Sequence, residues 1–454
     1  MRVRFKGLLL FTALTAPAGF AFAQTAAPAA KSPVAAAQPA PAAAQPAAQQ
    51  PAPVPQPAPP PPPPAVWTMA DANQLLLSIV NSAREGLDPR DYDSAGLISA
   101  MKSNDTVLIS AAATERFNKL SSDMALGHVR RADRQNWFIP DPDLDAARQD
   151  ALLRSALAQH RVGEALTGLL PLHPQYAALR HALEITPKTE TLKVNRIRLN
   201  MDRWRWLPRD LGDRYIIVNV PAYTAALVEN GVTVSRHRAV AGAIKTQTPQ
   251  LMATATGVIL NPWWEVPPSI TKEVAGKPGY VALKGPDGKI QRWRQPPGPR
   301  NALGQIKFVM YNPHNIYLHD TTAKTLFDAK ARAYSHGCIR TEHILLLAEK
   351  LLAEGAPVPA AAPADPAATA AAAVPAPWTP ERIAQTVASK KTVQANFPKP
   401  LPVYIVYMSS AALQDGSIKD YADIYRKDAK VIAALNNVAP PKAPAKPADK
   451  VAAR

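Results

Sequence analysis

The feature that most limits how this chain can fold is a change of hydrophobic period at about Leu192. Upstream, across 66–190, apolar residues recur at helical spacing. Leu75, Leu76, Ile79 and Val80 share one face, as do Leu153, Leu157, Leu166, Leu169 and Leu170. Asp88-Pro89 and the prolines at 171 and 174 punctuate this region, so it reads as a scaffold of several short helices. Downstream the period is two. Residues 215–220 read as a strand, and 226–240 as a hairpin around Asn230-Gly231, a turn pair that tolerates the positive φ angles a tight hairpin needs. Further strands are expected at 254–260, 305–311, 315–319 and 401–408, with a helix over 341–352. The fold class is therefore α+β, an N-terminal helical domain followed by a mainly β domain over 191–430.

Composition places the ends and the linkers. Hydrophobic residues make up 47% of the 454, which excludes disorder throughout, yet 48 prolines gather in Ala/Pro tracts. One tract, 24–65, reads as a semi-rigid tether. Another, 353–377, lies between the predicted helix and the strand at 401–408, and is read as an insertion looped out of the β domain at modest entropic cost. A tail over 431–454, rich in Ala, Pro and Lys from Ala439, is expected to be disordered. Residues 1–23 carry Arg2, Arg4 and Lys6, an apolar run from Gly7 to Phe20, and Ala21-Phe22-Ala23, the layout of a cleaved export signal. The run is shorter than the ~20 residues of a membrane span and is broken by Pro17 and Gly19. The mature protein is expected to be soluble in the periplasm, with no transmembrane segment.

Charge and cysteine usage narrow the chemistry. The net charge is +17, and 191–352 alone holds 23 Lys+Arg against 11 Asp+Glu. That concentration favours an anionic ligand for the β domain over a tail that coats nucleic acid. A single cysteine, Cys338, excludes an intramolecular disulfide and a cysteine-rich zinc site. It stands in Tyr334-Ser335-His336-Gly337-Cys338-Ile339-Arg340, downstream of Tyr317-Leu318-His319-Asp320. A thiol attacks as thiolate and needs a base or a positive field to lower a free pKa of ~8.5. His319 closes a predicted strand, from which a return loop can bring its imidazole to the sulfur. His336, two positions from Cys338, falls on the same side of an extended segment. Gly337 opens backbone conformations closed to other residues, and amides around Gly337 and Cys338 can face an oxyanion. Two other readings stand beside this one: an inert buried thiol, and a metal set of Cys338 with His314, His319 and His336, whose spacing lacks the usual zinc pattern.

These residues resemble the signature of the L,D-transpeptidases, the YkuD-type domain that cross-links peptidoglycan. The resemblance extends through Arg203-Trp204-Arg205-Trp206-Leu207-Pro208, Asn219-Val220-Pro221-Ala222, the run from Asn261 to Ile270, and Gln295-Pro296-Pro297-Gly298-Pro299. It looks like the long, YcbB-like branch, covers roughly 66–428, and is strongest over 196–345. It implies that Cys338 is the nucleophile, attacking the third-residue carbonyl of a tetrapeptide stem, expelling D-Ala and forming a thioester. A second stem's amine would then give a 3–3 cross-link. His319 would be the base, its ring oriented by a backbone carbonyl near Asp320, with His336 supporting the site. The Gly337 and Cys338 amides would form the oxyanion hole, and Arg340, Ser335, Tyr334, Trp264 and Asp320 would meet the substrate. The resemblance implies no cofactor and no metal, peptidoglycan stems as donor and acceptor, and acylation by carbapenems. Water as acceptor would make the chain an L,D-carboxypeptidase or amidase, and a noncatalytic wall-binding scaffold is the reading from outside enzymes. Two departures from the branch, the lack of a recognisable peptidoglycan-binding module and a short 269–300 segment, bear on wall targeting and acceptor choice.

Overall fold

The computed structural model describes residues 63–141, 143–353, 377–413 and 417–439. The export signal, most of the tether, the bulk of the 353–377 insertion and the end of the tail lie outside the described residues. The helical region comprises α1 (Met69–Asn81), α2 (Ser94–Ser103), α3 (Thr106–Leu126), α4 (Ala146–Ala158), α5 (Val162–Thr167), α6 (Pro174–Ile185) and α7 (Thr191–Arg205). Local chemistry sets their starts: Thr68 accepts from the Asp71 amide at the head of α1, and Asp105 accepts from Val107 and Leu108 at the head of α3. Their apolar stripes close the core, with Leu75 and Ile79 of α1 against Phe117 and Leu120 of α3, whereas Val80 faces outward.

Helix α7 corrects the reading of Leu192 as the point where the period changes, because the strands begin only at Arg214. The helix escapes a hydrophobic pattern because it buries polar side chains: Asn200, Asp202, Arg203 and Arg205 are all at most 2% exposed. Each finds a partner. Asp202 accepts from the His128 and Val129 amides at 2.7 and 3.2 Å and from the Trp206 indole at 2.9 Å, and pairs with Arg205 at 3.5 Å. Arg203 pairs with Asp428 at 2.8 Å and lies over the Tyr407 ring. Removing one side of such a network leaves the other buried and unpaired. Asp202→Ala is therefore expected to cost about 3–5 kcal/mol, read as a lower urea midpoint, and a midpoint unchanged from wild type would contradict this account of α7.

The β domain is built from β1 (Arg214–Asn219), β2 (Thr224–Glu229), β3 (Val232–Gly242), β4 (Leu251–Leu260), β5 (Trp264–Glu265), β6 (Val281–Lys284), β7 (Ile290–Gln295), β8 (Ile306–Val309), β9 (Leu318–His319), β10 (Ala333–Ser335), β11 (Ile339–Thr341) and β12 (Val393–Val406). Nine strands run in the order β10-β3-β11-β9-β8-β4-β12-β1-β2, and β2 also pairs with β3, so the sheet closes on itself with β10 as an extra edge. The β2–β3 hairpin turns at Asn230 and Gly231, with φ of +48° and +76°, as the sequence predicts. Strand β12 shifts register between Asn396 and Leu401, where Pro398 and Pro400 remove ladder donors. The strand expected over 315–319 shrinks to β9, because Asn315 has φ of +52° and the Asn312 side chain holds the preceding turn.

Tyr215, Val228, Tyr404 and Val406 of the sheet share one core with the helical region. A second core lies under α9 (Ile344–Ala353) and α10 (Pro380–Ala388). Between β4 and β8 a separate three-stranded sheet, β5-β7-β6, forms with α8 (Thr271–Val274) around Val266, Ile270 and Val274. The tail begins later than 431, since α11 (Asp428–Leu435) buries Val431 and Leu435 one helical turn apart. No helix among the described residues is long and apolar enough to cross a membrane.

Candidate active site

Strand register gathers the candidate groups. In β8, β9 and β11 the residues Lys307, His319 and Arg340 stand directly opposite one another, and therefore on one face. The alternate residues Ile306, Phe308, Leu318 and Ile339 fill the core on the other face. Two positions before His319 is Tyr317, whose ring meets the imidazole edge-on at 5.7 Å. Two positions before Arg340 is Cys338, half-buried, whose Sγ donates to the Asn315 carbonyl at 3.5 Å and lies near Tyr317.

His319 is buried, and its Nδ1 lies 2.5 Å from the Asp320 backbone carbonyl. A carbonyl only accepts, so Nδ1 carries the proton and Nε2 presents a lone pair. Burial foremost, then the nearby positive charge of Arg340, and more weakly that of Lys307, pull its pKa down to about 4, against the opposing pull of the Asp320 carbonyl. Burial pushes the Cys338 thiol up, opposed by the Tyr317 hydrogen bonds and the charges of Lys307 and Arg340. At neutral pH the site thus holds a neutral base and a protonated thiol, a pair suited to proton removal during attack.

The loop holding the thiol is fixed by its own side chains. Ser335 is buried; its hydroxyl donates to the Cys338 carbonyl at 2.5 Å and accepts from the Gly337 amide at 3.1 Å. That corrects two expectations. The Gly337 N–H is already bonded and is not free for an oxyanion, and Ser335 is committed to the loop rather than open to a substrate. The Cys338 amide has no partner among the described residues. Gly337 has φ of +118°, and a Cβ there would sit 3.2 Å from Ile316. Gly337 is thus required by its backbone.

His336 departs from the sequence reading. Gly337 breaks the extended alternation, so His336 does not follow Cys338 to one side; it is exposed and meets Glu273 of α8 at 3.3 Å. Asp320 is buried as a support, accepting from the Gln305 amide and pairing with Lys324. Tyr334 is exposed, whereas Trp264 is partly buried against Tyr280. The three histidines of the metal reading diverge: His314 meets the Phe138 ring at a tilt, centroids 4.0 Å apart, and no group of three potential metal ligands occurs among the described residues. Tyr317, Lys307 and Thr248 were not among the sequence candidates. The i, i+2 alternation with His319 marks Tyr317; the other two arrive through tertiary register, which leaves no local signal.

Comparison with known proteins identifies two domains. Residues 213–360 match the model of the L,D-transpeptidase catalytic domain, YkuD, and residues 64–183 match a Scaffold domain. A Haemophilus influenzae protein named "Putative L,D-transpeptidase" is 27% identical over 384 residues, 75% of this chain and 73% of its own length. Among solved structures, an L,D-transpeptidase from Mycobacterium smegmatis aligns at 12% identity and a TM-score of 0.21, over 43% of this chain and 58% of that one. One from Enterococcus faecium aligns at 12% and 0.21, over 44% and 52%. This chain thus spans little more than half of either solved chain, and likeness at that level carries no weight in the assignment. The two matched domains and the curated relative do carry it: the chain holds a YkuD-type L,D-transpeptidase catalytic domain behind a helical Scaffold domain.

Proposed function

We propose that this protein is a periplasmic peptidoglycan L,D-transpeptidase, exported through residues 1–23, that forms 3–3 cross-links through a Cys338 thioester. The observation that supports it most is the strand register that sets His319, its Nδ1 held by the Asp320 carbonyl so that Nε2 is the acceptor, directly opposite Arg340, two residues from Cys338. His319 Nε2 takes the Sγ proton as the sulfur attacks the third-residue carbonyl of a tetrapeptide stem. The tetrahedral oxyanion accepts from the Cys338 amide. The His319 imidazolium then returns its proton to the departing D-Ala nitrogen, the C–N bond breaks, and the thioester remains. A side-chain amine of a second stem, deprotonated by the now neutral His319, attacks that thioester and regenerates the thiol. Arg340 supplies positive charge beside the sulfur and a hold for a substrate carboxylate. Carbapenems, strained acyl donors, are proposed to acylate the same sulfur.

Product analysis of a reaction with disaccharide tetrapeptide tests the acceptor. A 3–3 dimer and released D-Ala are expected. Free tripeptide without dimer would overturn the transferase reading in favour of an L,D-carboxypeptidase built on the same thioester.

A further inference from the structure

One buried hydroxyl outside the catalytic motif holds the peptide that carries the Cys338 amide, which has no partner among the described residues. We propose that Thr248 is a positioning residue for thioester formation, and that the helical domain, through residues 135–138, sets the loop that carries it. Thr248 is 0% exposed. Its hydroxyl accepts from the Gly242 amide at 2.8 Å and donates to the Gly337 carbonyl at 2.7 Å, so its proton is committed in one direction.

The Gly337 carbonyl and the Cys338 amide belong to one trans peptide plane and point oppositely. Gripping the carbonyl therefore aims the N–H, and Gly337 itself offers no side chain to resist rotation of that plane. Ser335 occupies the Gly337 amide and the Cys338 carbonyl on either side, which leaves the Cys338 N–H as the amide Thr248 orients.

The Thr248 loop is held from the helical domain. Gln250 N–H donates to the Asn136 carbonyl at 2.9 Å, and the Phe138 amide donates to the Gln250 carbonyl at 2.8 Å, a parallel bridge centred on Trp137. The Asn136 side chain reaches Gln247 at 3.2 Å, and the Gln250 side chain reaches the Gln135 carbonyl at 3.1 Å. Trp137 packs edge-on against Trp206 at 5.3 Å, tying the bridge to α7. From the other side the Tyr425 hydroxyl accepts from the Thr248 amide and donates to the Gly242 carbonyl. The frame around Cys338 thus starts at residue 135, well before the catalytic-domain match at 213.

This assignment rests on the acyl-enzyme reading above, and the test separates the two. The full mature chain is compared with Thr248→Val, which keeps the shape and removes both hydrogen bonds, with Thr248→Ser, which keeps both, and with Gln250→Ala. D-Ala release from disaccharide tetrapeptide gives kcat and KM, and alkylation of Cys338 by chloroacetamide, which needs no oxyanion donor, gives the thiol pH profile. Thr248→Val is expected to lose about 10²-fold in kcat with KM and the alkylation profile unmoved, and Thr248→Ser to stay within about threefold of wild type. Gln250→Ala, should the valine variant not fold, is expected to lose roughly tenfold in kcat alone. Wild-type kcat in Thr248→Val, or a serine variant as slow as the valine one, would overturn the role of Thr248 while leaving the thioester standing. A wild-type chain that alkylates normally but releases no D-Ala would overturn the acyl-enzyme reading, and this one with it.

Discussion

Cys338→Ala is expected to abolish D-Ala release, a loss on the order of 10⁶-fold, the scale seen when a covalent nucleophile is removed from a site that acts as a unit. No other cysteine exists in the chain to substitute for it. The fold should survive, because the thiol is half-buried at the edge of the second core and makes a single 3.5 Å contact to a carbonyl, that of Asn315. A change in unfolding free energy of at most about 1 kcal/mol is expected, so inactivity will not be a folding artefact. Cys338→Ser should be nearly as inactive, since a hydroxyl at this position meets the same neutral base with a far less acidic proton. Release of D-Ala at the wild-type rate by Cys338→Ala would contradict nucleophilic catalysis and leave a noncatalytic wall-binding scaffold as the better account.

His319→Gln is the second large effect, a loss of roughly 10²–10⁴-fold in kcat/KM, as expected for a general base. The pH profile distinguishes this base from a preformed thiolate–imidazolium pair. His319 is held down at about 4 by burial and then by Arg340, so it stays a proton acceptor throughout the neutral range. Lowering the pH through about 4 protonates it, and kcat/KM should fall there rather than near the ordinary imidazole value of 6.5. Burial raises the thiol above its ordinary value, so chloroacetamide alkylation of Cys338 should still be climbing above about pH 8.5. A flat alkylation rate between about pH 5 and 8 would be the mark of a stored thiolate and would contradict the neutral pair.

Much of this was legible in the sequence where the signal is local. Asn230-Gly231 announces its hairpin, Leu75 and Ile79 announce their helix face, and Cys338 with His319 marks the chemistry. The rest depends on what lies opposite in space. Helix α7 hides from a hydrophobic pattern because Asp202, Arg203 and Arg205 are buried against partners as distant as Glu85 and Asp428. Lys307 and Thr248 reach the site through strand register and a loop crossing, neither of which has a sequence period. His336 was misplaced for the opposite reason. The alternation rule holds only along an extended strand, and the positive φ of Gly337 ends it.

The central claim is an acyl-enzyme on Cys338, and intact mass spectrometry of the mature chain, lacking residues 1–23 and quenched in acid during turnover of a disaccharide tetrapeptide, measures it directly. The account predicts an adduct of the disaccharide tripeptide acyl group, mapped to the peptide containing Cys338, labile to hydroxylamine and missing from Cys338→Ala. An adduct on another residue, or D-Ala release with no adduct even when the amine acceptor is withheld, would contradict it.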